Sequence, residues 1–141
     1  MFSKILIAFD GSPMSWKALR TGVALARLET GAELTVVSVE ERLPHMPEVV
    51  DEFSEEKARQ NAIFEQLQKE ALQLASEQGI NLKVNTIAGH AAQSIVRFAE
   101  QGGYDLLVIG HSGRSGVWGS FLGSTADKIV RHAKCPVLVM R

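Results

Sequence analysis

The sequence predicts an α/β protein: an open, five-stranded parallel sheet with helices on both faces. Five short apolar runs rich in branched side chains alternate with longer segments that carry the helical period. This βαβαβαβαβ alternation predicts parallel strands joined by right-handed crossovers. Three of the runs are apolar on both faces, which is typical of strands covered by helices above and below. No repeat or linker interrupts the pattern, so residues 1–141 are predicted to form one domain.

Each strand is predicted from its run of apolar residues. The first, second and fourth runs carry apolar residues on both faces, whereas the third has a polar side. The fifth run comes just before Arg141. The predicted strands are residues 5–9, 34–39, 82–87, 106–109 and 137–140.

Each helix is predicted from apolar residues spaced three and four apart, which lie on one helical face. The first helix has the clearest start, because Ser12 can cap it and Pro13 suits a first position that needs no N–H. Gly31 and Gly79 follow the first and second helices at positions typical of left-handed C-terminal caps. The apolar stripes are Trp16, Leu19, Val23 and Ala26, then Phe64, Leu67, Ala71 and Leu74, then Ala92, Ile95 and Ala99, and a fourth helix is predicted over residues 125–133.

The composition is that of an ordinary globular protein. The 141 residues are 45% hydrophobic and 22% charged, which argues against disorder. The formal charge of −1 disfavours a globally basic nucleic-acid binder. Cys135 is the only cysteine, which excludes an internal disulfide and a cysteine-built metal site. No apolar run approaches the ~20 residues that span a bilayer, and no signal peptide is evident, so we expect a cytoplasmic protein without membrane or nucleic-acid partners.

One acidic stretch, residues 40–56, breaks the alternation before the second helix. It contains two prolines, Pro44 and Pro47, which disfavour regular structure. We expect a solvated acidic loop there rather than a binding element. Its acidic residues are Glu40, Glu41, Glu48, Asp51, Glu52, Glu55 and Glu56.

The glycine segment after the fourth strand, residues 110–125, is the best candidate for a binding site. Ligands of open parallel sheets bind beyond the carboxyl ends of the strands, where the strand order reverses. Glycines leave backbone N–H groups uncovered, and Gly123 leads into a helix whose amino end attracts anions. Ser124 and Thr125 add hydroxyl donors, and Arg114 adds a cation. The segment therefore indicates a phosphate site; a flexible connection is the alternative.

The glycine segment differs from three familiar motifs. No lysine precedes Ser124 as a P-loop requires, and no Gly-x-Gly-x-x-Gly follows the first strand. Arg114 stands where a Gly-x-Ser-x-Gly hydrolase elbow needs glycine. His111 has no carboxylate partner in the sequence around it, so no catalytic residue is assigned.

The spacing Gly110-x2-Gly113-x9-Gly123-Ser124 resembles the nucleotide-binding motif of the universal stress protein family. The resemblance covers the whole chain and includes residues 5–12 at the start and 135–139 at the end. It implies a Rossmann-like fold of the adenine-nucleotide α-hydrolase-like kind, with strand order 3-2-1-4-5. It also implies ATP binding, because many members with the intact motif bind ATP.

The resemblance implies roles for individual residues. Asp10 is implied to lie near the adenine and ribose, Val39 to offer backbone groups to the adenine edge, and Ile109 to pack near the sugar or base. Gly89 is implied to line the mouth of the site. The implied phosphate-binding residues are Gly110, Gly113, Gly123, Ser124 and Thr125, with Arg114 as the nearby cation. A magnesium ion can accompany the nucleotide, because it binds through phosphates and few protein ligands.

The last strand lies at a sheet edge in the implied order. It is apolar, and an apolar edge strand invites pairing with another chain. We therefore expect a homodimer, which is also a habit of the family. The strand that would pair consists of Val137, Leu138, Val139 and Met140.

The function expected from these observations is that of an ATP- or AMP-binding dimeric sensor or regulator in a stress response. Two alternatives stay open. One is a slow ATP-hydrolysing or adenylating enzyme of the same superfamily, although residues 10–13 are a poor match to the phosphate loop of such enzymes. The other is a nucleotide-free interaction scaffold with an unknown protein partner.

Overall fold

The computed structural model describes residues 1–40, 50–112 and 122–141, with residues 50–54 described by their backbone alone. Strands and helices alternate along the described chain, as the apolar runs predicted. The elements are β1 (Lys4–Ala8), α1 (Pro13–Leu28), β2 (Glu33–Glu40), α2 (Val50–Glu77), β3 (Leu82–Ala88), α3 (Ala91–Gln101), β4 (Leu106–Gly110), α4 (Ser124–His132) and β5 (Val137–Met140).

The strands form one parallel sheet in the order β3-β2-β1-β4-β5. This confirms the parallel sheet expected from the alternation and the strand order that the resemblance implied. β1 lies at the centre, where Leu6 pairs with Thr35 on β2 and with Leu107 on β4. β3 and β5 form the two edges.

The core has two layers, one on each face of the sheet. On the first face, α1 and α2 pack against the sheet through buried residues such as Leu19 and Ala71. On the second face, α3 and α4 pack through residues such as Ile95 and Ile129. β1 and β4 contribute to both layers because their successive side chains point to opposite faces. The apolar sequences of residues 5–8 and 106–109 follow from this double coverage.

The helix ends agree with the predicted caps in two places and differ in one. Ser12 caps α1, its Oγ accepting a hydrogen bond from the Ser15 N–H at 3.3 Å, and Pro13 occupies the first helical position. Gly79 has a φ of +75° just after α2, as a left-handed cap requires. Gly31 also has a positive φ, but the chain has already left α1 at Glu29 in an extended conformation. Gly31 therefore serves the turn into β2 rather than the helix cap.

Part of the acidic stretch belongs to regular elements rather than to the predicted loop. α2 begins at Val50, so residues 50–56 are helical and the expected loop over 40–56 was wrong for that part. Glu40 belongs to β2, and residues 41–49 lie outside the described residues. An acidic first turn is favourable in a helix because its amino end carries partial positive charge. Among the described helices, none combines the length and apolar character needed to cross a membrane.

Candidate functional site

A cleft of about 510 Å³ lies at the carboxyl edge of the sheet, where β1 and β4 are neighbours. The chain winds from β1 to β3 on one side of this point and from β4 to β5 on the other, so the strand order reverses here. This is the place where open α/β sheets bind ligands, and the volume falls within the range of small-molecule sites. The described lining residues are Ala8, Phe9, Asp10, Ser12, Ser15, Val37, Val39, Glu40, Gln60, Ile63, Phe64, Ala91, Ile95, Ile109, Gly110, Ser112, Gly123, Ser124, Thr125, Ala126 and Ile129.

One end of the cleft is formed by the last residue of β4 and the first turn of α4. Gly123, which precedes α4, has no side chain to cap the helix, and among the described residues no side chain caps its first N–H groups, which face the cleft. Ser124 and Thr125 are exposed at the same end. Helix N–H groups, hydroxyls and the positive end of a helix together favour an anion such as phosphate.

The backbone of His111 holds this end in place. Its N–H donates to the Met140 carbonyl at 2.7 Å, and its carbonyl accepts from the Gly123 N–H at 2.9 Å. The start of α4 is thereby tied through one residue to β5. The sequence indicated no catalytic role for His111, and the structure gives its backbone a positioning role.

Gly110 is a glycine because α1 passes close to the end of β4. A Cβ atom placed on Gly110 would lie 2.7 Å from the Met14 Cβ and 3.2 Å from the Ser15 backbone nitrogen. The first distance is shorter than real Cβ contacts allow, and the second is tighter than most of them. The close approach brings the amino end of α1 beside the cleft, so Ser12 and Ser15 line it.

The other end of the cleft is formed by the ends of β1 and β2. The Asp10 carboxylate accepts a hydrogen bond from the Ser12 N–H at 2.8 Å, which fixes the turn after β1. The Ser38 hydroxyl donates to the Phe9 carbonyl at 2.7 Å and locks the ends of the two strands together. Val39 lines this end, which is therefore apolar on the strand side and carries a carboxylate at the turn.

α2 forms a wall of the cleft that the sequence analysis missed. Gln60, Ile63 and Phe64 line the cleft from one face of the helix. The sequence predicts Phe64 on one apolar helical face together with Leu67, and it assigns this face no binding role. The available sign in the sequence was the apolar Ile63, one position outside the stripe, which the structure leaves exposed at the cleft.

The predicted binding residues fall into three groups. Asp10, Val39, Ile109, Gly110, Gly123, Ser124 and Thr125 line the cleft together. Gly89 is not among the described lining residues; it lies beside the cleft, with its N–H donating to the Glu40 carbonyl at 3.1 Å. Gly113 and Arg114 lie outside the described residues.

The charged side chains among the described lining residues are both acidic. They are Asp10, after β1, and Glu40, at the end of β2. Within the described ranges, no three His, Cys, Asp or Glu side chains come together as a metal centre would require. Anion binding in this part of the cleft therefore depends on backbone N–H groups, hydroxyls and the α4 dipole.

Solved structures of similar fold include three with an adenine nucleotide. A universal stress protein family protein from Arabidopsis thaliana with AMP bound is 18% identical, with a TM-score of 0.72 over 98% of this chain and 90% of that chain. A universal stress protein in complex with cAMP is 23% identical, with a TM-score of 0.70 over 99% and 97%. The one from Archaeoglobus fulgidus in complex with dAMP is 22% identical, with a TM-score of 0.63 over 100% and 98%. At these identities the likeness is one of fold.

Sequence relatives match the whole chain. The universal stress protein family model matches residues 1–141. Universal stress protein YxiE of Bacillus subtilis is 33% identical over 152 residues, covering 100% of both chains. The solved structure of universal stress protein UspA from Lactobacillus plantarum is 27% identical, with a TM-score of 0.90 over 99% of this chain and 98% of that chain. The chain, from its first strand through the cleft to its last strand, therefore belongs to the universal stress protein family.

Proposed function

We propose that this protein binds an adenine nucleotide, ATP or AMP, in the cleft at the carboxyl edge and acts as a sensor or regulator in a stress response. The observation that carries the proposal is the pairing of an anion-attracting end, at Gly123 and Ser124, with an apolar end at Val39, in one cleft of about 510 Å³. A nucleotide likewise has an anionic end, its phosphates, and a flat, largely apolar end, its base. AMP, cAMP and dAMP in proteins of the same fold support this reading.

The triphosphate of ATP would lie against the first turn of α4. No side chain in the described part of the chain caps the N–H groups there, and Ser124 and Thr125 supply hydroxyls. Gly113 and Arg114 are expected to complete this end, as the sequence motif implies. The base would lie toward Val39 and Ile109, and the ribose near Asp10.

Magnesium is expected to accompany ATP. The described lining carries two carboxylates, Asp10 and Glu40, and these would repel an unscreened triphosphate. A magnesium ion held by the phosphates reduces this repulsion without a dedicated protein cage. ATP affinity should therefore rise with magnesium more than AMP affinity does.

Hydrolysis of bound ATP is expected to be slow at most. No histidine is among the described residues that line the cleft. Asp10 already accepts a hydrogen bond from the Ser12 N–H and holds the turn, which is a structural use of its carboxylate. A sensor needs occupancy rather than turnover, and the arrangement suits that use.

A homodimer through β5 is the second part of the proposal. β5 is an edge strand, and Leu138 is 37% exposed although it is apolar. Two copies could pair their edges and cover this side chain. Because His111 links β5 to the start of α4, such pairing would connect the nucleotide site with the dimer interface.

The direct test is titration calorimetry with ATP and AMP, with and without magnesium, on the wild type and on Ser124→Glu. The added carboxylate would stand near the phosphates, and we expect ATP to bind about tenfold more weakly or worse. α4 should stay folded, because an acidic residue in the first turn favours a helix.

Gln78→Glu is the matched control. It adds the same charge at the far end of α2, beside Arg27, whose guanidinium lies 2.8 Å from the Gln78 Oε1. ATP affinity should not change in this variant. A wild type that gives neither heat nor a shift in thermal unfolding with either nucleotide would defeat the proposal and favour a scaffold. Release of pyrophosphate or AMP from ATP would favour an adenylating enzyme.

A further inference from the structure

Near its amino end, α2 extends past the end of the sheet. Its side chains are described from residue 55 onward. Gln68 Nε2 donates to Thr86 Oγ1 on β3 at 2.5 Å, which fixes the level of the helix against the strand. Gln60 lies eight residues earlier, about 12 Å along the helix at 1.5 Å per residue. β3 continues from Thr86 only to Ala88, about 7 Å. Gln60 therefore stands about 5 Å beyond the strand, above the cleft rather than above the core.

α2 is firmly anchored just below this level. Ala71 and Ala75 are fully buried in the core. A Cβ atom on Gly11 would lie 2.6 Å from Leu67 Cδ1, so Leu67 rests directly on the turn after β1. The next turn of the helix carries Ile63 and Phe64, which reach into the cleft from an anchored support.

The chemistry of this wall suits a planar heterocycle. Phe64 is a half-buried aromatic ring, and aromatic rings bind nucleic-acid bases by stacking on them. Ile63 is 52% exposed and would gain apolar contact when the cleft fills. Gln60 carries an amide donor and an amide acceptor, which are the groups that a base edge can pair with.

We infer that α2 is the base-recognition wall of the cleft: Phe64 and Ile63 cover the face of the base, and Gln60 contacts its polar edge. This inference rests on the proposed nucleotide function and adds to it an element outside the glycine motif. A bound base then restrains residues 57–66, so the surface of α2 differs between the nucleotide-bound and the nucleotide-free protein. A phosphate chain without a base would leave that surface unchanged.

Calorimetric affinities for ATP and for inorganic tripolyphosphate test the wall, because tripolyphosphate keeps the charge and lacks the base. We expect Ile63→Ala, Phe64→Ala and Gln60→Ala each to weaken ATP binding about fivefold or more. Their tripolyphosphate affinity should match the wild type. Leu72→Ala is the control, because Leu72 is an apolar side chain on the same helix, 41% exposed and outside the cleft.

Amide hydrogen exchange supplies a second readout that a purely structural role would not move. ATP should slow exchange in residues 57–66 of the wild type, and tripolyphosphate should not. Two results would refute the base-recognition wall while leaving the proposed function intact. One is that all three wall variants bind ATP as tightly as the wild type does. The other is that the wild type binds ATP without any change of exchange in residues 57–66. A wild type that binds no ATP refutes both. Ile63→Ala removes a largely exposed side chain, so it keeps the test valid if Phe64→Ala does not fold.

Discussion

The Asp105 carboxylate ties the start of the chain to the beginning of β4. It accepts hydrogen bonds from the Ser3 N–H and hydroxyl, at 2.9 and 2.8 Å, and from the Lys4 N–H at 3.0 Å. Partial burial raises the pKa of Asp105, but these hydrogen bonds outweigh it, so the pKa is lowered overall. A single carboxylate thus aligns β1 and β4, the two strands that frame the cleft.

Asp105→Asn should reduce the free energy of unfolding by about 1 kcal/mol at pH 7, a low value because the Ser3 contacts lie at the surface. A lowered pKa means that the ionised carboxylate stabilises the fold above the unfolded-state pKa of about 3.9. That contribution is lost as pH falls through the folded-state pKa. The difference between wild type and variant, measured by urea unfolding, should therefore shrink when the pH is taken from 7 to below 4.

Asp127→Asn is a suitable comparison for Asp105→Asn. Asp127 pairs with Arg131 at 3.0 Å one turn away on α4, and both side chains are exposed. Such a pair contributes only about 0.3–0.5 kcal/mol. Equal losses in the two variants, or a loss for Asp105→Asn that does not depend on pH, would contradict the role given to Asp105.

Glycine has two different uses at the cleft. The sequence indicated the glycines as sources of uncovered N–H groups. For Gly110 the structure adds a packing reason, since Met14 and Ser15 of α1 occupy the space that a side chain would need. A contact between residues almost a hundred positions apart leaves no local signal, so only the folded chain could reveal this second use.

At the scale of the element, the start of α1 depends on one hydroxyl. Ser12→Ala removes the acceptor for the Ser15 N–H and should lower stability by about 1 kcal/mol, a few degrees in thermal unfolding. Ser76→Ala, within α2 and exposed, is the comparison and should cost nothing, because alanine is the better helix former. If both variants melt with the wild type, the cap does not stabilise α1.

α2 shows how far an apolar period can mislead. Phe64, Leu67, Ala71 and Leu74 form one stripe, and the spacing alone indicates a single buried face. Leu67 and Leu74 do pack on the core, and Ala71 is buried there. Phe64 instead lines the cleft, because the sheet ends below it. The apolar period indicates that one face of the helix is covered. It does not indicate whether the core or a ligand covers that face.

At the scale of the whole molecule, the open edge at β5 controls the proposed assembly. Leu138→Lys should convert a dimer to a monomer in sedimentation velocity, because two lysines would face each other near the centre of a paired edge. Val130→Lys, which changes an exposed valine on α4, should remain dimeric. A wild type that sediments as a monomer, or a dimeric Leu138→Lys, would rule out this interface.

The sequence by itself determined the class of fold and the position of nearly every element. Hydrophobic period, the Ser12–Pro13 start and the glycine spacing are local signals, and they depend on a few neighbouring residues. The strand order followed only from the family resemblance, because alternation is compatible with more than one order. The roles of Asp10 and Ile109 also followed from the resemblance, whereas Gly123 was indicated by the helix that it precedes as well.

The tertiary structure alone decided which surfaces meet. It let α2 run past the end of β3, and it brought Gln60 and Ile63 to the cleft. These contacts join residues that are distant along the chain, and their energies depend on how whole elements pack rather than on any local pattern. Local residues therefore specified the elements, and the packing of those elements created the cleft and its α2 wall.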